Sequence, residues 1–131
     1  MAAVSVEQAI YNALIADAAF ISSIGALYWY EAPGGADLPY VVYFQVDDPR
    51  AKVFLSYYGG QARLQFSVFD EDRGDGVAKA QAIVEKMKEV RGLYNGLRVS
   101  CEVVNVVTQP NTIDNVFHRT VDVIVNYTEE G

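Results

Sequence analysis

Ala62-Arg63-Leu64-Gln65-Phe66-Ser67-Val68 decides the fold class, because its apolar side chains fall on every second residue with polar ones between them. Successive side chains of a strand point to opposite faces, so Ala62, Leu64, Phe66 and Val68 belong to a core while Arg63, Gln65 and Ser67 face outward. Such a half-buried strand needs antiparallel partners, and the chain supplies them on both sides. Upstream, Tyr40, Val42, Phe44 and Val46 alternate with Val41, Tyr43, Gln45 and Asp47, and both sets are largely apolar. That predicts a strand inside the sheet, or one partly covered on its second face. A shorter strand over residues 27–30 ends in the turn-rich run Ala32-Pro33-Gly34-Gly35-Ala36-Asp37. Downstream, residues 97–108 and 116–128 read as two long strands joined by Gln109-Pro110-Asn111-Thr112. The alternation slips phase at Val103-Val104, which predicts a bulge.

The remaining segments have helical spacing. Ser5 with Gln8 forms a capping box before Val6, Ala9, Ile10, Ala13 and Leu14, and Asp17 caps a second piece carrying Phe20, Ile21 and Ile24 that Gly25 ends. Val77, Ala80, Ile83, Val84, Met87 and Val90 lie three or four apart among charged residues, which predicts a helix capped by Asp75 and stopped by Gly92. The order of helices, strands, a helix and strands implies an α+β fold. We expect one domain over residues 1–131, with a mixed, mainly antiparallel sheet and helices packed on one face.

Composition excludes several classes. Nine Tyr, six Phe and one Trp are too much aromatic surface for a disordered chain. The longest uncharged stretch, residues 18–30, is too short for a membrane helix, and residues 1–20 lack the basic start of a secretory signal. Ten Lys and Arg against seventeen Asp and Glu leave a net charge of -7, which opposes autonomous nucleic-acid binding. The lone Cys101 has no partner for an intrachain disulfide.

Candidate chemistry is sparse. Asp70-Glu71-Asp72-Arg73-Gly74-Asp75-Gly76 has alternate carboxylates, but a calcium loop starting at Asp70 would need Gly in place of Asp75 and Glu in place of Gln81. A solvated loop leading into the helix is the simpler reading. His118 and Cys101 are the only histidine and thiol, and a pair across adjacent strands is geometrically conceivable, though nothing in the sequence positions either for catalysis. No phosphate loop, dinucleotide fingerprint, nucleophile elbow or zinc spacing occurs. We therefore expect no catalytic residue, no cofactor and no metal.

The aromatic residues are more informative. Tyr28, Trp29 and Tyr30 are consecutive, so at least one points away from the core. Residues 47–60 are too long for a plain hairpin turn, and they read as an arm bounded by Asp48-Pro49 and a turn at Gly59-Gly60. Its Phe54, Leu55, Tyr57 and Tyr58, flanked by Arg50 and Lys52, either fold back over the sheet or form a protein-protein interface.

Several stretches together resemble the tail-completion, or tail-terminator, proteins of long-tailed, siphovirus-type bacteriophages. They are Leu14-Ile15-Ala16-Asp17-Ala18-Ala19, Leu38-Pro39-Tyr40-Val41-Val42-Tyr43, Arg63-Leu64-Gln65-Phe66-Ser67-Val68-Phe69 and Arg119-Thr120-Val121-Asp122-Val123, spread over nearly the whole chain. The resemblance implies an α+β structural subunit, not an enzyme, that assembles as a hexameric ring on the head-proximal end of the tail tube. It would end tube polymerisation and offer the surface to which the filled head docks. Its partners would be other copies of itself, the major tail tube protein and a head-tail connector or stopper. Its place would be the tail or neck of the virion, reached from the host cytoplasm, with no membrane. Under this reading the arm meets the tube or a neighbouring subunit through Arg50, Lys52, Phe54, Leu55, Tyr57 and Tyr58. A globular chain of this length is about 35 Å across, so six in a ring leave a hole about one diameter wide, enough for a DNA duplex to pass. Its negative charge suits a conduit that does not retain phosphate. Another neck component, or a small ligand-binding or enzymatic domain, is the alternative.

Overall fold

Along the chain run helix α1 (Val6–Ile15), helix α2 (Ala18–Ile24), strand β1 (Leu27–Trp29), strand β2 (Tyr40–Asp47), strand β3 (Gly59–Asp70), helix α3 (Arg73–Glu89), strand β4 (Arg91–Tyr94), strand β5 (Leu97–Gln109) and strand β6 (Phe117–Glu129). The structure, a computed structural model, describes residues 6–30, 32–47, 59–94, 96–109 and 116–129. The strands form one sheet in the order β1-β2-β3-β6-β5-β4, parallel between β1 and β2 and antiparallel elsewhere. This is the α+β arrangement expected from the sequence.

The alternation in β3 sorts the sheet into two faces. Val41 and Tyr43, Ala62, Leu64, Phe66 and Val68, and Val121, Val123 and Val125 are fully buried on the inner face. They pack against Ile10 and Leu14 of α1, Ile24 of α2 and Ile83 and Met87 of α3. A helix the length of α1 spans about 15 Å, whereas a flat sheet of this width separates its edge strands by about 24 Å. Yet α1 meets β1 through Glu7 and Trp29 and also lies against β4 at the opposite edge. The sheet therefore curls around α1 into a half-barrel.

Several local expectations hold and others do not. Asp17 caps α2, its Oδ1 accepting the Phe20 N–H at 3.0 Å, and Gly25 at φ 91° takes the C-cap. Pro39 packs against Gly25, with its carbonyl oxygen 2.9 Å from where a Cβ would stand. The bulge lies between Val103 and Asn105, leaving Val104 exposed. A second irregularity, between Gln45 and Asp47, was not anticipated. Ser5 lies outside the described residues.

The cap of α3 is Asp72, not Asp75: Asp72 is extended, and its Oδ2 accepts the Asp75 N–H at 2.7 Å. Asp75 lies instead in the first turn, where its charge favours the positive end of the helix. Nor does Gly92 stop this helix. Val90 is already extended, and Gly92 sits within β4, a strand the helical pattern conceals. Gly59-Gly60 is likewise strand rather than turn, because Thr128 and Tyr127 of β6 extend the ladder to meet it. Gly76 has a packing role, since a Cβ there would run into the Phe117 ring. No helix among the described residues is long and apolar enough to cross a membrane.

Candidate interaction surface

The three helices pack on the inner face, and among the described residues no helix covers the outer face of the sheet. Register builds an aromatic row across that face. Tyr40 stands opposite Phe69, and Phe69 opposite His118. Tyr28 meets the edge of Tyr40 at 5.9 Å, Tyr40 lies 5.3 Å from Phe69, and Phe69 stacks on His118 at 4.3 Å. Beside this row is an open cleft of about 300 Å³ whose lining includes Tyr30, Tyr40, Val42, Phe44, Ser67 and Phe69.

The rest of the outer face is polar and largely paired with itself. Asp122 is buried, accepts the Gln65 amide at 3.0 Å and lies 3.5 Å from the Arg63 guanidinium. Gln61 donates to Asn126 at 2.9 Å. One half of the face thus satisfies its own polar groups, while the other half carries the aromatic row, in which Tyr40, Phe44 and Phe69 are half-buried, Val42 is buried and Tyr30 is exposed. Aromatic residues with part of the ring exposed are common at protein-protein contacts.

One latch fixes the β1 edge of the cleft. The buried Glu7 carboxylate accepts the Trp29 indole N–H at 2.9 Å and the Tyr30 hydroxyl at 3.1 Å, while the Tyr43 hydroxyl donates to the Glu7 carbonyl at 3.0 Å. Tyr11, Trp29, Tyr43 and Phe66 stack alongside. Tyr30 adopts φ 76°, uncommon for a residue with a side chain, and the latch with its backbone bond to Tyr43 holds it there. The hydrogen bond to Glu7 raises the Tyr30 pKa, and burial raises that of Tyr43. The three consecutive aromatics therefore divide as expected: Trp29 enters the stack, Tyr28 joins the outer row and Tyr30 is 59% exposed.

The chemically suggestive residues take ordinary positions. Cys101 faces the core, and burial pushes its thiol up to about 12, so it is protonated at neutral pH. His118 lies on the opposite face of the sheet, so the conceivable Cys–His pair does not form. Asp70 pairs with Lys79 at 2.9 Å and accepts the Asp72 N–H, while Asp72 serves as the helix cap. Among the described residues no group of three His, Cys, Asp or Glu side chains is placed to hold a metal ion. The sequence-derived interface residues Arg50, Lys52, Phe54, Leu55, Tyr57 and Tyr58 lie outside the described residues.

Burial lowers the His118 pKa, and its Nε2 has no hydrogen-bond partner among the described residues. A lowered histidine pKa means that the unfolded chain takes up the proton first. Its contribution to stability is therefore present above about pH 6.5 and lost as pH falls through the lower folded value. The midpoint of urea unfolding should fall between about pH 7.5 and pH 5.5, and His118→Asn should flatten that slope. A slope unchanged by the substitution would assign the effect elsewhere. Asp17, held below its usual value by Lys86, acts in a separate and more acidic window.

These features define a structural class: an α+β subunit whose described residues form one helix-covered sheet face and one partly aromatic face without helices. The sequence profile described as "Tail completion protein gp17" matches residues 8–125, and the chain belongs to that family, which has a structural role in phage tails. No curated protein matches the chain. Among solved structures, a chain in "Virion of native gene transfer agent (GTA) particle" shares the fold with a TM-score of 0.62 and 15% identity, covering 97% of this chain and 96% of that one.

Proposed function

We propose that this chain, acting as a single domain, caps the head-proximal end of a phage tail tube, ends its polymerisation and presents the surface to which the filled head docks. Copies act as a hexameric ring in the tail or neck of the virion after folding in the host cytoplasm. They contact the major tail tube protein below and a head-tail connector or stopper above, and DNA passes without specific binding. The subunit carries no catalysis and needs no cofactor. The observation that carries this reading is a partly aromatic sheet face, without helices among the described residues, on a chain that belongs to the tail completion family. The fold shared with a chain of a gene transfer agent particle agrees with a place in a virion. The arm carrying Arg50, Lys52, Phe54, Leu55, Tyr57 and Tyr58 supplies a second contact surface, to the tube or to a neighbouring copy.

A nonsense codon in the gene separates capping from other neck roles. The expected lysate contains filled, unattached heads and tubes of uncontrolled, excessive length by electron microscopy. Tubes of normal length beside heads that leak their DNA would indicate a head-completion or stopper protein instead.

A further inference from the structure

One edge of the sheet is covered over only part of its length. β5 runs for 13 residues, yet β4 pairs with residues 97–100 alone. Along residues 101–109 no strand among the described residues lies on its second side. Exposed edges are ordinarily blunted by charge, proline, bulges or short length. The bulge at Val104 guards the stretch before it, but the edge is regular again from Asn105. Val103-Val104-Asn105-Val106-Val107-Thr108-Gln109 holds no charge, proline or glycine and is mostly β-branched, the composition of a segment that pairs with another strand. Val107 is 38% exposed there.

The opposite edge supplies a strand that matches in level and direction. Val41 N–H donates to the Ala26 carbonyl and Tyr30 N–H to the Tyr43 carbonyl, so residues 26, 28 and 30 turn their backbone groups toward β2, while Leu27 and Trp29 turn theirs away from it. Through the successive ladders Tyr28 stands level with Val42, Ser67, Thr120 and Val107. β1 therefore lies level with the uncovered part of β5, whereas β4 occupies the other end. Because β1 is parallel to β2, and three antiparallel steps separate β2 from β5, β1 of one copy beside β5 of a like-oriented copy makes an antiparallel pair.

From this we infer that β1 of one copy adds to residues 105–109 of β5 in the next, continuing the sheet head-to-tail with Tyr28 beside Val107. The inference rests on the capping assembly proposed above and names the joint between its subunits. It pairs two sets of backbone groups that have no strand partner among the described residues of one copy, and it sets a tyrosine ring against an exposed valine. A joint between two different edges repeats from copy to copy and makes a ring where its rotation closes.

The test mixes two single-cysteine copies in cells producing tails, a tagged Tyr28→Cys copy and an untagged Val107→Cys copy, both with Cys101→Ser. Purified tails are treated with a short bis-maleimide. The expected result is a band joining a tagged to an untagged copy in the mixture, absent from tails built from either copy alone. A band of two copies from the Val107→Cys protein alone would mean that two β5 edges meet and would overturn the inference, as would links confined to a different tail protein. Tyr30→Cys with Asn105→Cys, the next outward position on the same two edges, keeps the test decisive if the Tyr28 variant folds poorly, because both side chains are exposed. If both pairs stay unlinked in capped tails that contain the copies, the joint is wrong and the capping function stands. If the unaltered protein is itself missing from purified tails, the joint and the capping function fail together.

Discussion

Tyr43→Ala is expected to lower folding stability by about 3–5 kcal/mol, a large fraction of the roughly 5–15 kcal/mol that holds a domain together. Tyr43 is completely buried and lies at the centre of the aromatic stack, 5.4 Å from Phe66, 6.1 Å from Tyr11 and 6.2 Å from Trp29. Truncation leaves a cavity that three rings on separate elements must share, and rigid stacked rings collapse poorly into such a space. It also removes the hydroxyl that donates to the Glu7 carbonyl, on the helix whose carboxylate holds Trp29 and Tyr30. Tyr43→Phe keeps the stack and loses only that bond, so it should cost about 1 kcal/mol. Urea unfolding followed by fluorescence of the lone tryptophan, which reports on the stack directly, measures both. An alanine variant within about 1 kcal/mol of the parent would show that the stack is not central to the fold.

The largest functional effect is expected from replacing residues 51–58 with a short Gly-Ser link. β2 and β3 pair from Tyr40 with Phe69 to Asp47 with Arg63, and neither that ladder nor the pairing of β3 with β6 needs the segment. Changing loop length alone shifts stability by only about 1 kcal/mol or less. The variant should therefore melt near the parent while tail capping is lost, leaving overlong tubes in micrographs of the lysate. Tails of normal length would make the segment dispensable and move the interface elsewhere. An unfolded variant would place Phe54, Leu55, Tyr57 and Tyr58 in the core.

Much of this architecture is legible in the chain. The alternation of Ala62, Leu64, Phe66 and Val68 identifies the inner face, and both caps of α2 follow from Asp17 and Gly25, because each depends on neighbours within a few residues. What escapes the sequence depends on tertiary pairing. Gly59-Gly60 has turn chemistry, yet β6 is long enough to draw it into a ladder. The strand β4 hides in the tail of a helical pattern, although Asn95-Gly96 directly after it is a hairpin signal. Asp72 and Asp75 are equally good caps on paper, and only the extended backbone at Asp72 separates them.

The surface was visible in part. Three consecutive aromatics cannot all face inward, so Tyr28-Trp29-Tyr30 announces an outward contact. The row from Tyr28 through Tyr40 and Phe69 to His118 draws one residue from each of four strands and exists only once their register is set. Glu7 gave no signal, since an acid in the first turn of a helix ordinarily faces water. Its burial is explained by the Trp29 and Tyr30 donors, which arrive from a strand well away in sequence.

Chemical cross-linking of purified tails measures the proposed closed ring at the tube end most directly. Antibody to this chain should reveal a ladder of bands that ends at six copies, all of them in particles whose tubes are capped. A ladder that ends at two copies would contradict the ring.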